Sequence, residues 1–189
     1  MDIQKPIIID NILDEYDADM IENTLTSENF PWGIQKNTVS FDDIVDGHRD
    51  MPYMTHIFTE NGHVMSPYMH IPMCILQTLA EKTGRHYTDT IRIRANLTHP
   101  ACGERLPTPI HTDNMRPHHV IIYYPIDSDG DTIIYTDASG KEILMSVAPK
   151  KNRILIFDGS YNHCAVPTKD HHMRMVINYN LSPIPAINI

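Results

Sequence analysis

The chain has 189 residues, with 15 Lys and Arg against 24 Asp and Glu, 12 histidines and only 3 cysteines. That length suits one domain with a core of its own, and an odd, small number of cysteines excludes a disulfide framework. A formal charge of -9 argues against a protein that wraps nucleic acid, while 41% apolar and 21% charged residues are ordinary for a globular domain and unlike a disordered one.

The start, Met1-Asp2-Ile3-Gln4-Lys5-Pro6, carries no basic region followed by an apolar core and a small-residue cleavage site. No apolar run approaches the ~20 residues of a membrane span. The expected location is therefore the cytoplasm, where free cysteines stay thiols. Ile7-Ile8-Ile9 is a short β-branched run ended by Asp10-Asn11. From Asp14 the spacing turns helical, with Tyr16, Met20, Ile21 and Leu25 on one face and acids early, until Phe30-Pro31-Trp32-Gly33 stops it. Trp32 is expected to pack between this helix and the rest of the fold. Residues 33–65 are polar, with Asp42, Asp43, Asp46, Gly47 and Gly62, and read as long loops with short strands. A second helix is predicted over 67–82, its apolar face built from Met69, Ile71, Met73, Leu76, Leu79 and Ala80, with Thr83-Gly84 closing it.

Beyond Tyr87 the texture is β. Ile91-Arg92-Ile93-Arg94-Ala95-Asn96-Leu97 alternates, placing Arg92, Arg94 and Asn96 on one face. Further short strands are predicted around His111 and over 120–124, 132–135, 143–147, 154–157, 163–166 and 173–181, separated by Pro, Gly, Asn and Asp turn signals. This spacing predicts a sandwich or jelly roll rather than a parallel α/β sheet.

Histidine is the unusual component, and His-x-Asp is the pattern to weigh. It occurs twice, in His48-Arg49-Asp50 and His111-Thr112-Asp113, and chance alone supplies about one such triplet in a chain of this composition. The first superficially resembles a kinase catalytic loop, but Thr55 stands where that loop needs asparagine and no glycine-rich loop precedes it. It reads as a solvated loop. In the second, His111 and Asp113 at the start of a strand point to the same side, and His163 can join them from a neighbouring strand. Two histidines and one carboxylate leave open positions on one side of a metal, the facial arrangement of non-haem Fe(II) oxygenases. Arg174, 11 residues after His163, shares a strand face with Val176 and Asn178. A guanidinium inside a barrel needs an anion, which a dicarboxylate supplies through a bidentate contact. The adjacent pairs His118-His119 and His171-His172 cannot chelate together, because neighbouring strand residues face opposite ways; surface roles or roles behind the ligands are expected for them. The methionines are read as core filler.

These residues, together with Val120-Ile121-Ile122-Tyr123-Tyr124, Ser128-Asp129-Gly130-Asp131-Thr132 and Phe157-Asp158-Gly159, resemble the 2-oxoglutarate- and Fe(II)-dependent dioxygenase superfamily, especially its prolyl-4-hydroxylase-like branch. The match covers most of the chain and is motif-grade from about 91 to 181. The resemblance implies a mainly β fold with flanking N-terminal helices, a double-stranded β-helix (jelly roll, cupin-like), within a single domain over 1–189: a helical preamble with lid loops over 1–87 and the β-helix core over 88–182. It implies Fe(II) held by His111, Asp113 and His163, and 2-oxoglutarate held at its far carboxylate by Arg174, with Tyr124 and Asn96 as further contacts. Thr132 is either a hydroxyl near that carboxylate or simply a strand former. O2 is implied as co-reactant and ascorbate as an optional accessory. The implied reaction is hydroxylation of a C–H bond while 2-oxoglutarate is decarboxylated to succinate, with a peptidyl proline as first substrate and a free amino acid or other small metabolite as second. A metal-binding jelly-roll module without turnover is the rival. No nucleic-acid or membrane partner is expected, and the sequence is silent on oligomeric state.

Overall fold

Among the residues described by the computed structural model, namely 3, 5–38 and 47–183, every strand pairing is antiparallel. The elements run β1 (Ile7–Asp10), α1 (Glu15–Leu25), β2 (Gly33–Gln35), β3 (Tyr53–Glu60), β4 (His63–Val64), α2 (His70–Thr83), β5 (Tyr87–Thr98), β6 (His119–Tyr124), β7 (Thr132–Tyr135), β8 (Ile143–Val147), β9 (Arg153–Asp158), β10 (Asn162–Ala165) and β11 (Arg174–Pro183). An eight-stranded sheet has the order β1-β9-β6-β11-β5-β3-β2, with β4 attached to β3, and a three-stranded sheet has the order β10-β7-β8.

Strand β6 shows how the layers are built. It is buried at all six positions because both of its faces are covered. Ile121 and Tyr123 pack on the helix side, with Ile21 and Leu25 of α1 and Ile75 and Leu79 of α2. Val120, Ile122 and Tyr124 turn the other way and meet Ile134 of β7 and Val147 of β8 across the gap between the sheets. Each large apolar side chain so covered contributes roughly 1.5–3 kcal/mol relative to an exposed one. The result is a jelly roll, a double-stranded β-helix with two helices against the outer face of its larger sheet.

Local signals explain the helices. Asp14 caps α1 by accepting from the Asp17 amide (2.8 Å), and Glu15 and Asp17 sit in its first turn. The buried face is Ala18, Ile21 and Leu25; Tyr16 and Met20, expected there, are 73% and 49% exposed. Helix α2 ends where Gly84 adopts a left-handed conformation (φ 67°), which lets its amide reach the Ala80 carbonyl. Its buried face is Ile71, Pro72, Ile75 and Leu79, while Met73 is exposed. Trp32 packs partly buried against the helix-side core and donates its indole N–H to the Leu25 carbonyl (3.2 Å).

The polar stretch holds more regular structure than expected. Strand β3 is eight residues long and joins the large sheet by pairing with β5. Asp42, Asp43 and Asp46 lie outside the described residues. The strand expected around His111 is a single bridge, His111 to His163. Among the described residues no helix is long and apolar enough to cross a membrane.

Candidate metal centre and its cavity

Three elements bring the predicted ligands together. The His111–His163 bridge, closed by backbone hydrogen bonds of 3.0 and 2.9 Å, sets the two histidines side by side with ring centroids 4.6 Å apart. Asp113 lies in the bend just after, and the ligand atoms of His111, Asp113 and His163 all fall within 4.8 Å of one another. Both imidazoles are oriented from behind: Nδ1 of His111 donates to the Pro109 carbonyl (3.0 Å) and Nδ1 of His163 to the Tyr161 carbonyl (3.3 Å). A carbonyl can only accept, so each Nδ1 carries the proton and each Nε2 keeps its lone pair for the centre. Burial, reinforced by nearby His111, lowers the pKa of His163 to about 4, which keeps it neutral near pH 7. Burial by itself would raise the Asp113 carboxyl, but His163, His111 and Arg92 hold it well below the usual carboxylate range.

The carboxylate of Asp113 is held by the large sheet. Oδ1 accepts from Arg92 (3.1 Å), and Oδ2 accepts from Asn178 and Asn180 (3.0 Å each). Alternation aims these donors inward, since Arg92 and Asn180 are register partners on β5 and β11. Two imidazoles turned with Nε2 toward the centre, a carboxylate held ionised and fixed orientation suit a divalent first-row metal. The residues present therefore fit Fe(II).

The cavity beside this cluster measures about 870 Å³ with its open mouth and is lined by His111 and His163 at one place and Arg174 at another. Arg174 is 4% exposed. Its Nε donates to the Gly130 carbonyl and its Nη2 to the Thr132 hydroxyl, both at 2.7 Å. Among the described residues no carboxylate pairs with it, although burial bears on its charge first of all. Five N–H groups are available on a guanidinium and only two have these partners. Thr132 lies two residues from Ile134, the register partner of His163, or about 7 Å along the strand. That is the scale of an extended five-carbon diacid.

Tyr124 does not line the cavity. It stands behind Thr132, fully buried between the sheets, with the two hydroxyl oxygens 2.7 Å apart. Burial pushes its phenol pKa up, so it stays neutral. Asn96 does line the cavity, and its Oδ1 accepts from Thr55 (3.0 Å). His118 and His119 are buried, His119 within 3.3 Å of the Tyr87 hydroxyl, whereas His171 is exposed and bonds Asp129.

Sequence reasoning singled out neither Arg92 nor Asn180 as carboxylate holders, nor Arg49, Tyr53 and Arg94 as cavity wall. The signal for the β5 residues was present: alternation put Arg92 and Arg94 on the face of Asn96. Arg49 belongs to the His48-Arg49-Asp50 triplet, whose polar setting gives no sign that it lines a cavity.

No protein-family model matches the sequence, and no curated protein does either. Solved structures do match in shape. A 2OG-Fe(II) oxygenase family oxidoreductase from Burkholderia pseudomallei aligns over 94% of this chain and 84% of its own, with a TM-score of 0.69 and 10% identity. A prolyl hydroxylase from Trichoplax adhaerens, in complex with a peptide fragment of a hypoxia inducible factor oxygen degradation domain, aligns over 94% and 83%, with a TM-score of 0.62 and 15% identity. The epimerase SnoN, in complex with Fe3+, alpha ketoglutarate and nogalamycin RO, aligns over 94% and 78%, with a TM-score of 0.59 and 10% identity. The chain has the fold of the 2OG-Fe(II) oxygenases.

Proposed function

We propose that this protein is a Fe(II)- and 2-oxoglutarate-dependent dioxygenase that hydroxylates a C–H bond. One observation carries the reading: a buried guanidinium that no carboxylate pairs with among the described residues opens onto the same cavity as an oriented His-Asp-His cluster. A metal-binding module without turnover has no use for Arg174 in that place.

In the overall reaction 2-oxoglutarate, O2 and R–H give succinate, CO2 and R–OH. Iron at His111, Asp113 and His163 supplies the redox chemistry when bound. The chain's own residues do the rest. Arg174 and Thr132 receive the far carboxylate, and Tyr124 fixes Thr132 from behind. Asn178, Asn180 and Arg92 stop the Asp113 carboxylate from turning. Asn96 bounds the cavity on the β5 side. A peptidyl proline is the first substrate class, supported by the peptide-bound prolyl hydroxylase among the similar folds. A free amino acid or other small metabolite is the second, supported by SnoN and its small-molecule ligand.

The test is succinate release. Anaerobic protein is mixed with Fe(II), 2-oxoglutarate and candidate substrates, oxygen is admitted, and succinate is measured beside a 16-dalton gain on the substrate. Succinate above an Asp113→Ala control is expected; its absence refutes the assignment.

A further inference from the structure

Three arginines line the cavity, and the proposed co-substrate uses only one of them. Arg174 meets Gly130 and Thr132 on the side of the small sheet. Arg94, on β5, and Arg49, just before β3, line the same cavity, and among the described residues neither Asp nor Glu does. Arg94 pairs in register with Asn178, whose amide holds Asp113, so it belongs to the large-sheet wall of the centre. A diacid stretched between Arg174 and the metal ligands leaves Arg94 unused.

The surroundings of Arg94 are those of a group awaiting an anion. Its Nε is buried and has no hydrogen-bond partner. Its guanidinium carbon lies 6.0 Å from the centroid of the Tyr53 ring, itself only 7% exposed. A cation over an aromatic face recovers part of the desolvation cost but satisfies none of the N–H donors. Arg92, two residues along the same face, shows the contrast: its charge is met by Asp113 at 3.1 Å. In a chain with 24 acids and 15 bases, a carboxylate could readily have been placed opposite Arg94. None pairs with it among the described residues, and an arginine fork matches a carboxylate from outside.

We propose that Arg94, seated on Tyr53 and backed at the mouth by Arg49, is a subsite for a carboxylate on the molecule that is oxidised. The proposal rests on the oxygenase reading in one respect, that the substrate enters this cavity. It narrows the substrate to an acid, either a free small carboxylate or a peptide presenting a carboxylate near the reacting carbon.

The test uses the full chain loaded with Zn(II) and N-oxalylglycine, so that the metal and co-substrate positions are filled by unreactive groups. The probes are N-acetylglycine and a blocked peptide, acetyl-Ala-Glu-Ala-amide, each beside its neutral counterpart, N-acetylglycinamide and the Gln peptide. The readout is the nitrogen-15 side-chain resonance of Arg94 during titration. At least one carboxylate probe should saturate that resonance at least tenfold more tightly than its amide. The stronger of the two identifies the source as small acid or peptide. Measured by calorimetry, which does not depend on the Arg94 resonance, Arg94→Gln should abolish the difference in affinity and Arg49→Gln should reduce it, with N-oxalylglycine affinity unchanged in both. Equal binding of acid and amide, no response at Arg94, or displacement of N-oxalylglycine by the probes would overturn the proposal. Succinate release separates the two readings: turnover with a carboxylate-blind Arg94 sinks this inference alone, and carboxylate binding without any turnover sinks the oxygenase alone.

Discussion

Gly130 illustrates how a single position can matter through what it lacks. A Cβ there would come within 2.6 Å of the Val166 carbonyl and 2.8 Å of Arg174 Cδ, while the Gly130 carbonyl accepts from Arg174 Nε. The backbone must approach the guanidinium closely, and only glycine leaves room. Gly130→Ala should therefore push Arg174 off its seat and weaken 2-oxoglutarate binding at least tenfold, about 1.4 kcal/mol, while metal binding persists. A calorimetric 2-oxoglutarate titration with the metal site filled checks this; unchanged affinity would refute the seat. Arg174 was legible from the sequence because an inward arginine demands an anion, but Gly130 offered only a turn signal and a motif position, with no contact attached. Nothing in a linear pattern shows which strand will lie across it. The histidines of the candidate centre carry a second residue-scale consequence. His163 titrates at 6.5 in an ordinary setting and at about 4 in the folded chain, chiefly through burial. Between those values the unfolded chain takes up a proton that the folded chain refuses, so acidification destabilises the metal-free fold. The loss should run from pH 6.5 down to 4 and amount to at most about 3 kcal/mol. Asp113, held below its ordinary 3.8, extends the decline to lower pH with the same sign. Melting of the metal-free protein across this range, beside His163→Gln, reads the contribution: the variant should show a flatter profile, and parallel profiles would exclude it.

Elements were legible where a period ran unbroken. Strand β6, covered on both faces, reads as an apolar run from Val120 onward, and β5 over 91–97 and β11 over 174–181 alternate in sequence. Strand β3 does not, because its pairing with β5 slips between Ile57 and Thr59. A bulge shifts every later residue to the other face, so a period-two search sees two fragments and loses an eight-residue strand. Helix α1 went astray differently. Its buried face runs through Ala18, Ile21 and Leu25, and a small side chain such as Ala18 gives a weak apolar signal beside Tyr16 and Met20. The join between β1, α1 and β9 was invisible because it is polar. Asn152, 7% exposed and at φ 62°, accepts from the Leu13 amide and donates to the Leu13 carbonyl, both at 2.9 Å. It staples the start of α1 to the entry of β9 and holds a backbone conformation that asparagine tolerates better than most residues. Asn152→Ala should lose both bonds, leave buried backbone groups unpaired and destabilise by about 2 kcal/mol or more, while Asn152→Gly should recover the part due to backbone strain. Urea unfolding of the two variants measures it, and a difference of a few tenths from wild type would show that the staple is idle.

At the scale of the whole molecule, net charge was the least informative feature, since a chain at -9 still encloses a cavity walled by arginines. What global composition hides, topology assembles: β5 and β11 meet only in the folded sheet, though Arg94 and Asn178 are 84 positions apart by their numbering. The same holds for the loops at the Arg174 end of the cavity. The stretch 98–109 is tied down at Arg105, whose Nε donates to the Pro167 carbonyl (2.6 Å) and whose Nη2 reaches both the carbonyl and the carboxylate of Asp129. Asp129 also accepts from the Thr168 hydroxyl, the Lys169 and Asp170 amides and His171. One carboxylate thus gathers the loop before β7, the loop before β11 and the stretch 98–109, and Gly130, the seat of Arg174, is its immediate neighbour. Desolvation opposes its charge, yet the Thr168 hydroxyl and the Asp170 and Lys169 amides hold its pKa well below the usual range, so it is ionised near neutral pH. Asp129→Asn keeps the shape but removes the charge and turns one acceptor into a donor facing other donors. Released together, the three loops should exchange amide hydrogens faster, and 2-oxoglutarate affinity should fall with them because Gly130 is no longer fixed. The metal ligands, anchored on β10 and by β5 and β11, should keep their affinity. Hydrogen exchange at 99–109 and 166–173, measured beside separate metal and 2-oxoglutarate titrations, distinguishes this from general loosening: faster exchange throughout the sheets, or equal losses of both affinities, would mean that Asp129 supports the fold at large and not the co-substrate end.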